Sequence, residues 1–251
     1  FKYFYNLTAA KIGQEKTGSH FLAITDPGSG LADTAKKYNF RKTFINDPNI
    51  GGRYSALSFV GIPPAAFQGI DLDTLLARAI TMLHNCESCN CAVDGDNSGA
   101  WLGAILGELA KAGHDKVTLV ASPPIENFGS WVEQLIAEST GKDGKGILPV
   151  DRELLAQPEF YANDRLFVYL RLADDSTYDR QVNALEKAGH PVVRINLKDI
   201  YDLGGEFFRW EMAIAVAGMI IGIHPFNQPN VEAAKVLARK MIAEYQKKGK
   251  L

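Results

Sequence analysis

At 251 residues with 46% hydrophobic content, the chain is long enough for one large domain or two modest ones and can bury a real core, which excludes a disordered or fibrous protein. Its 27 basic and 29 acidic residues are mixed along the chain and leave a net charge of -2. No basic face for nucleic acid is implied, and a small-molecule ligand fits better.

The chain starts at Phe1 without a Met, and Phe1-Lys-Tyr-Phe-Tyr already reads as the middle of a helix running to about 12, so missing upstream sequence is expected. A strand at 21–25 and the turn Asp26-Pro-Gly-Ser-Gly follow, then a helix at 30–38, a strand at 43–45, and helices at 53–68 and 72–86. The polar stretch 88–99 breaks the pattern, after which the strand and helix alternation begins afresh. Helices are expected at 98–112, 126–138, 177–188, 204–222 and 230–247, and strands at 117–121, 147–150, 166–170 and 192–197. The strands are apolar on both faces, which predicts an α/β fold of doubly wound parallel sheets covered by helices. Two units are expected, about 1–68 and 69–251, with 88–99 as a break; the first has only two strands, too few for a stable layer by itself.

The longest strongly apolar run, 213–223, is about half the length needed to span a bilayer, so it predicts a buried helix and no membrane partner. No secretory signal is visible, and Cys86, Cys89 and Cys91 leave an odd count that suits a reducing compartment, so a cytoplasmic location is expected.

Three segments carry candidate chemistry. In Asp47-Pro-Asn-Ile-Gly-Gly-Arg-Tyr-Ser, a glycine pair between a strand and a helix start lets backbone N–H groups approach an anion, with Arg53 beside it as a permanent cation. An ordinary glycine turn with a surface arginine explains the same pattern. At the end of an apolar helix, Gln134 and Glu138 are four apart and share a face; partial desolvation there would suit Glu138 to general-base work, and a solvated Glu beside Lys142 is the plain alternative. In His224-Pro-Phe-Asn-Gln-Pro-Asn-Val-Glu-Ala-Ala-Lys, two prolines frame a connection, Asn230 is placed to cap the next helix, and Lys235 lies in its second turn, where an exposed lysine is equally ordinary.

Together and in this order, Asn49-Ile-Gly-Gly-Arg-Tyr-Ser-Ala-Leu-Ser, Glu133-Gln-Leu-Ile-Ala-Glu-Ser-Thr-Gly-Lys and Pro225-Phe-Asn-Gln-Pro-Asn-Val-Glu-Ala-Ala-Lys resemble the signatures of glucose-6-phosphate isomerases, in particular the isomerase part of transaldolase–isomerase fusions. The resemblance implies flavodoxin-like sugar-isomerase domains, a sugar-phosphate ligand, a homodimer, a place in glycolysis and gluconeogenesis, and neither cofactor nor metal. By the same resemblance, Glu138 moves a proton between C1 and C2 through a cis-enediol, Arg53 stabilises the enediolate oxygen, Lys235 helps open the sugar ring, and Gly52 and Gln134 contact substrate. A non-catalytic sugar-phosphate-binding module is the competing expectation.

The sequence departs from the family in three places. The Ser/Thr-rich phosphate loop is absent, Asn227 stands where the signature has Asp, and His190 aligns poorly with the ring-opening histidine and reads as a solvated turn residue. The cluster His84-Asn-Cys-Glu-Ser-Cys-Asn-Cys is too tightly spaced for a zinc site and reads as reduced cysteines at a helix end. Asp94-Gly-Asp-Asn-Ser-Gly lacks the glutamate of a calcium loop and reads as a polar turn leading into a helix.

Overall fold

All six expected strands form, each within two residues of its expected bounds. The computed structural model describes residues 1–87, 96–227 and 229–250, with the side chains of 229–232 outside that description. The chain divides into two units, Phe1–Asp73 and Thr74–Leu251, each taken by itself below.

In the first unit, α1 (Lys2–Ile12) and α2 (Gln14–Thr17) precede β1 (Leu22–Thr25), α3 (Gly30–Lys37), β2 (Lys42–Ile45) and α4 (Ile62–Phe67). β1 and β2 pair in parallel, with Ala23 opposite Thr43. α3 begins where the Ser29 hydroxyl accepts the Ala32 N–H at 3.2 Å. A two-stranded sheet buries little, and the unit compensates with aromatics: Phe1, Tyr5, Phe21, Tyr38 and Phe40 meet edge-on or tilted at 4.8 to 5.8 Å.

The helix expected at 53–68 is corrected. Only a short 3-10 turn (Gly52–Tyr54) and α4 are helical there. The Ser55 and Ser58 hydroxyls donate to the carbonyls of Gly52 and Ser55 at 2.7 Å, replacing a helical ladder with local turns. A helix starts only at Ile62, where Pro63 occupies the first turn at no cost in hydrogen bonds.

The second unit holds most of α5 (Leu72–Asn85), then α6 (Ser98–Lys111), β3 (Lys116–Ala121), α7 (Phe128–Thr140), β4 (Leu148–Val150), β5 (Arg165–Leu172), α8 (Asp179–Lys187), β6 (Val192–Leu197), α9 (Leu203–Ile221) and α10 (Pro229–Lys248). Its sheet is parallel throughout in the order β4-β3-β5-β6, with Val168 of β5 between Leu119 and Val193. Leu166, Phe167, Val168, Tyr169 and Leu170 are each at most 1% exposed, so this strand is covered on both faces. The division falls in the first turn of α5, between Asp73 and Thr74. Arg78 of α5 reaches Asp199 and Asp202 at 3.6 and 3.4 Å, non-local ion pairs that tie α5 to the start of α9.

The tightest helix pair is α6 on α9. Gly99, Gly103 and Gly107 fall four apart on α6, on the side facing Met212, Ala213 and Ile220 of α9. A Cβ on Gly103 would stand 2.4 Å from the Ala213 carbonyl oxygen, a backbone atom that cannot step aside. Gly103→Ala is therefore expected to destabilise the protein by about 2 kcal/mol, read by urea unfolding.

α9 also carries two desolvated carboxyls, Glu206 buried and Glu211 half-buried. Desolvation pushes Glu211 up to about 8 and Glu206 up to about 7, the latter although Arg209 lies 3.3 Å away. A carboxyl raised on folding binds its proton more tightly in the native state, so its contribution is fully present below its ordinary 4.5 and is lost as pH rises through about 8. Glu211→Gln should therefore gain about 2 kcal/mol relative to wild type between pH 5 and pH 8, measured by urea unfolding at the two pH values.

Candidate active site

α7 sorts its residues by face. Val132, Leu135, Ile136, Ser139 and Thr140 are buried, while Gln134 and Glu138 sit on the outward side one turn apart. The Gln134 amide donates to Glu138 Oε1 at 3.0 Å, which orients a half-buried carboxylate on a rigid helix. The helix runs to Thr140, so Glu138 lies inside its last turn.

The rest of the same motif is structural. Thr140 Oγ1 donates to the Ile136 carbonyl at 2.8 Å and accepts the Ile147 N–H at 2.9 Å, closing the 141–146 loop. Lys142 is only 5% exposed, and its ammonium donates to the carbonyls of His224 at 2.6 Å and Asn227 at 2.8 Å. Lys145 donates to the Ile221 carbonyl at 3.1 Å, a cation placed at the carbonyl end of α9. Lys142, from the second signature, and Lys145, three residues beyond it, thus hold the turn that carries the third.

That turn is fixed in other ways. α9 ends at Gly222 in the left-handed region, with φ 72°. Pro225 is buried and packs on Gly218, where a Cβ would stand 3.0 Å from its ring. His224 Nδ1 accepts the N–H groups of Phe226 and Asn227 at 3.3 Å. α10 begins at Pro229 and carries Lys235 exposed in its second turn. The capping expected of Asn230 concerns a side chain outside the described residues.

Arg53 belongs to the first unit and is 1% exposed, against the surface position its local sequence allows. It follows Gly51 and exposed Gly52 in the 3-10 turn, with its guanidinium 5.4 Å from the Tyr54 ring centre. An Asx turn precedes it, with the Asn49 N–H donating to Asp47 Oδ1 at 2.9 Å.

A cleft of about 760 Å³ opens past the end of α7, lined by Ala137, Gly141, Lys145, Ile147, Leu148 and Ile220; its lining does not include Glu138. At the strand-order reversal between β3 and β5, Ser122 Oγ accepts the Leu172 N–H at 3.0 Å, and bonds from Ser122 and Thr177 hold the Asp175 carboxyl low. This crevice, often a ligand site in such sheets, is knitted by its own hydrogen bonds.

His190 is corrected as well. It is half-buried, with Nε2 3.1 Å from the Pro158 carbonyl and its ring edge-on to Phe167, so it is a packed residue and not a solvated one. Cys86 is buried, and desolvation pushes its thiol up, while Cys89 and Cys91 lie outside the described residues, as does the start of the Asp94 turn. Asn97 ends that turn by accepting the Ala100 N–H at 3.0 Å and capping α6. Among the described residues no three His, Cys, Asp or Glu side chains are gathered for a metal, and no helix is long and apolar enough to cross a membrane.

No family model matches the sequence. Whole-sequence comparison finds glucose-6-phosphate isomerases: those of Parabacteroides distasonis and Streptococcus pyogenes are each 29% identical over 95% and 99% of this chain, and that of Lactobacillus helveticus is 28% identical over 94%. The chain spans 61% to 63% of the length of these relatives. Among solved structures, a hypothetical protein from Thermus thermophilus superposes with a TM-score of 0.81 at 23% identity, over 96% of this chain and 67% of its own. A glucose-6-phosphate isomerase from Chlamydia trachomatis gives 0.74 at 17% identity, over 98% and 56%. The chain is thus similar to glucose-6-phosphate isomerases along nearly its whole sequence, and it shares the fold of one of them.

Proposed function

We propose that this chain forms the catalytic part of an aldose–ketose isomerase that interconverts glucose 6-phosphate and fructose 6-phosphate. The observation that carries the reading is the arrangement around α7: a half-buried carboxylate oriented by an amide at 3.0 Å, on a motif whose lysine grips the turn leading to Lys235. The names of the relatives support it.

In this reading Glu138 takes the proton from C2 of the open-chain aldose and returns it to C1, so one carboxylate serves as base and then as acid. Negative charge develops on the enediolate oxygen between the two transfers. Arg53, a permanent cation withdrawn from water, is assigned to stabilise that oxygen, because a desolvated charge acts through a lower local dielectric. Lys235 assists ring opening by donating a proton to the ring oxygen, while Gly52 and Gln134 contact the sugar.

Replacing Glu138 by Gln keeps the shape and removes the base. In the full-length protein it should lower turnover by about 10³-fold in a coupled assay of fructose 6-phosphate conversion. An active, folded Glu138→Gln protein sinks the assignment, and a folded wild type that binds sugar phosphate without turning it over makes the chain a binding module.

A homodimer and a cytoplasmic location belong to the same reading. The full-length protein should sediment at twice its chain mass, and a monomer at working concentration removes the dimer from the proposal.

A further inference from the structure

Glu138 stands on a helix anchored by Val132, Leu135 and Ile136, each fully buried, and its carboxylate is oriented by Gln134. The 223–227 turn is different: it lies outside any helix or strand, and two of its carbonyls, on His224 and Asn227, are held by one ammonium that reaches across 82 and 85 residues of sequence. Pro229, the first residue of α10, comes two positions after Asn227, so the placement of the turn sets where that helix, and Lys235 upon it, begins.

A surface lysine tethered by chance would keep its ammonium in water. Lys142 instead is 5% exposed, and burying an ammonium is favourable only when its donors are satisfied. The three donors of an ammonium suit two carbonyls arriving from different directions, and charge-assisted bonds are about twice as strong as neutral ones. Gly141 before it is the C-cap of α7, which turns the chain so that Lys142 leaves the helix face on which Glu138 sits.

We propose that Lys142 is a positioning residue that acts through Lys235: it fixes the 223–227 turn and so sets the ring-opening lysine relative to the base. The inference rests on the isomerase reading above and adds to it a role for a residue to which no chemistry is assigned.

A double-mutant cycle in the full-length protein tests it. The two readouts are anomer interconversion of glucose 6-phosphate by exchange NMR, which reports ring opening, and isomerisation. Lys142→Met should slow anomer interconversion by about 10- to 100-fold, the scale expected when a reacting group is misplaced by about 1 Å. Lys235→Ala should slow it at least as much, and the double variant should be no slower than Lys235→Ala alone, because a positioning residue has nothing left to position.

Effects that multiply in the double variant, or a folded Lys142→Met protein with unchanged anomer interconversion, overturn the inference while leaving the isomerase reading intact. A wild type without isomerase activity removes both. Should Lys142→Met fail to fold, Lys142→Arg in the same cycle keeps the charge but lengthens the reach, and it must show the same dependence on Lys235 for the inference to stand.

Discussion

The close approach of α6 and α9 is the constraint on which the second unit depends. Glycines at 99, 103 and 107 remove the side chains that would otherwise hold the two helices apart, and α9 answers with Ala213, Ile214 and Ala217, all fully buried. Helix axes that meet on such a stripe can approach closely and gain dispersion contacts along several turns. The consequence reaches the candidate site through geometry alone. With α9 fixed along its length, its end at Gly222 is fixed too, and the turn that follows starts from a defined point. Lys145 and Lys142 then take up the carbonyls on either side of it.

The Gln-x-x-x-Glu-Ser-Thr-Gly-Lys segment divides its labour by helix face. Positions 134 and 138 look outward and make one hydrogen bond to each other, while 135, 136, 139 and 140 are buried. The Thr140 hydroxyl satisfies the Ile147 N–H, which a valine of the same shape would leave bare. Burial also falls on two cations, Arg53 at 1% and Lys142 at 5% exposure. Water is thus replaced by fixed protein partners around each positive charge. The two charges have different surroundings: the Lys142 ammonium binds main-chain carbonyls, whereas the Arg53 guanidinium lies near an aromatic ring in a glycine turn.

Much of the fold was legible because its elements announce themselves locally. Strand 192–197 matches residue for residue, and the helices around it stop at Gly113, Gly189 and Gly222, which adopt positive φ. What failed was non-local or competitive. The 53–68 segment has enough apolar residues for a helix, but its serines offer the backbone other partners and its prolines permit a helix only from Ile62. Nothing in 72–86 reveals that Arg78 will find acids more than a hundred residues later. Of the candidate site, the pairing of Gln134 with Glu138 follows from helical spacing. The burial of Arg53 and Lys142 does not, since a Gly-Lys after a helix and an Arg after Gly-Gly both read as solvated ends. The carbonyls that receive Lys142 could be found only by folding the chain.

The same clamp bears on the departure at Asn227. Where the family signature carries Asp, this chain carries an amide, which removes a negative charge beside a buried ammonium. Had Lys142 relied on that side-chain charge as its counter-ion, the substitution would leave a desolvated cation uncompensated, an expensive arrangement that selection for a stable fold would oppose. The contact instead runs through the Asn227 main-chain carbonyl, together with that of His224, and a main-chain acceptor is present whatever the side chain. Position 227 can therefore exchange acid for amide without releasing the turn, while position 142 cannot exchange lysine for a neutral residue on the same terms. This departure falls where the structure depends on the backbone.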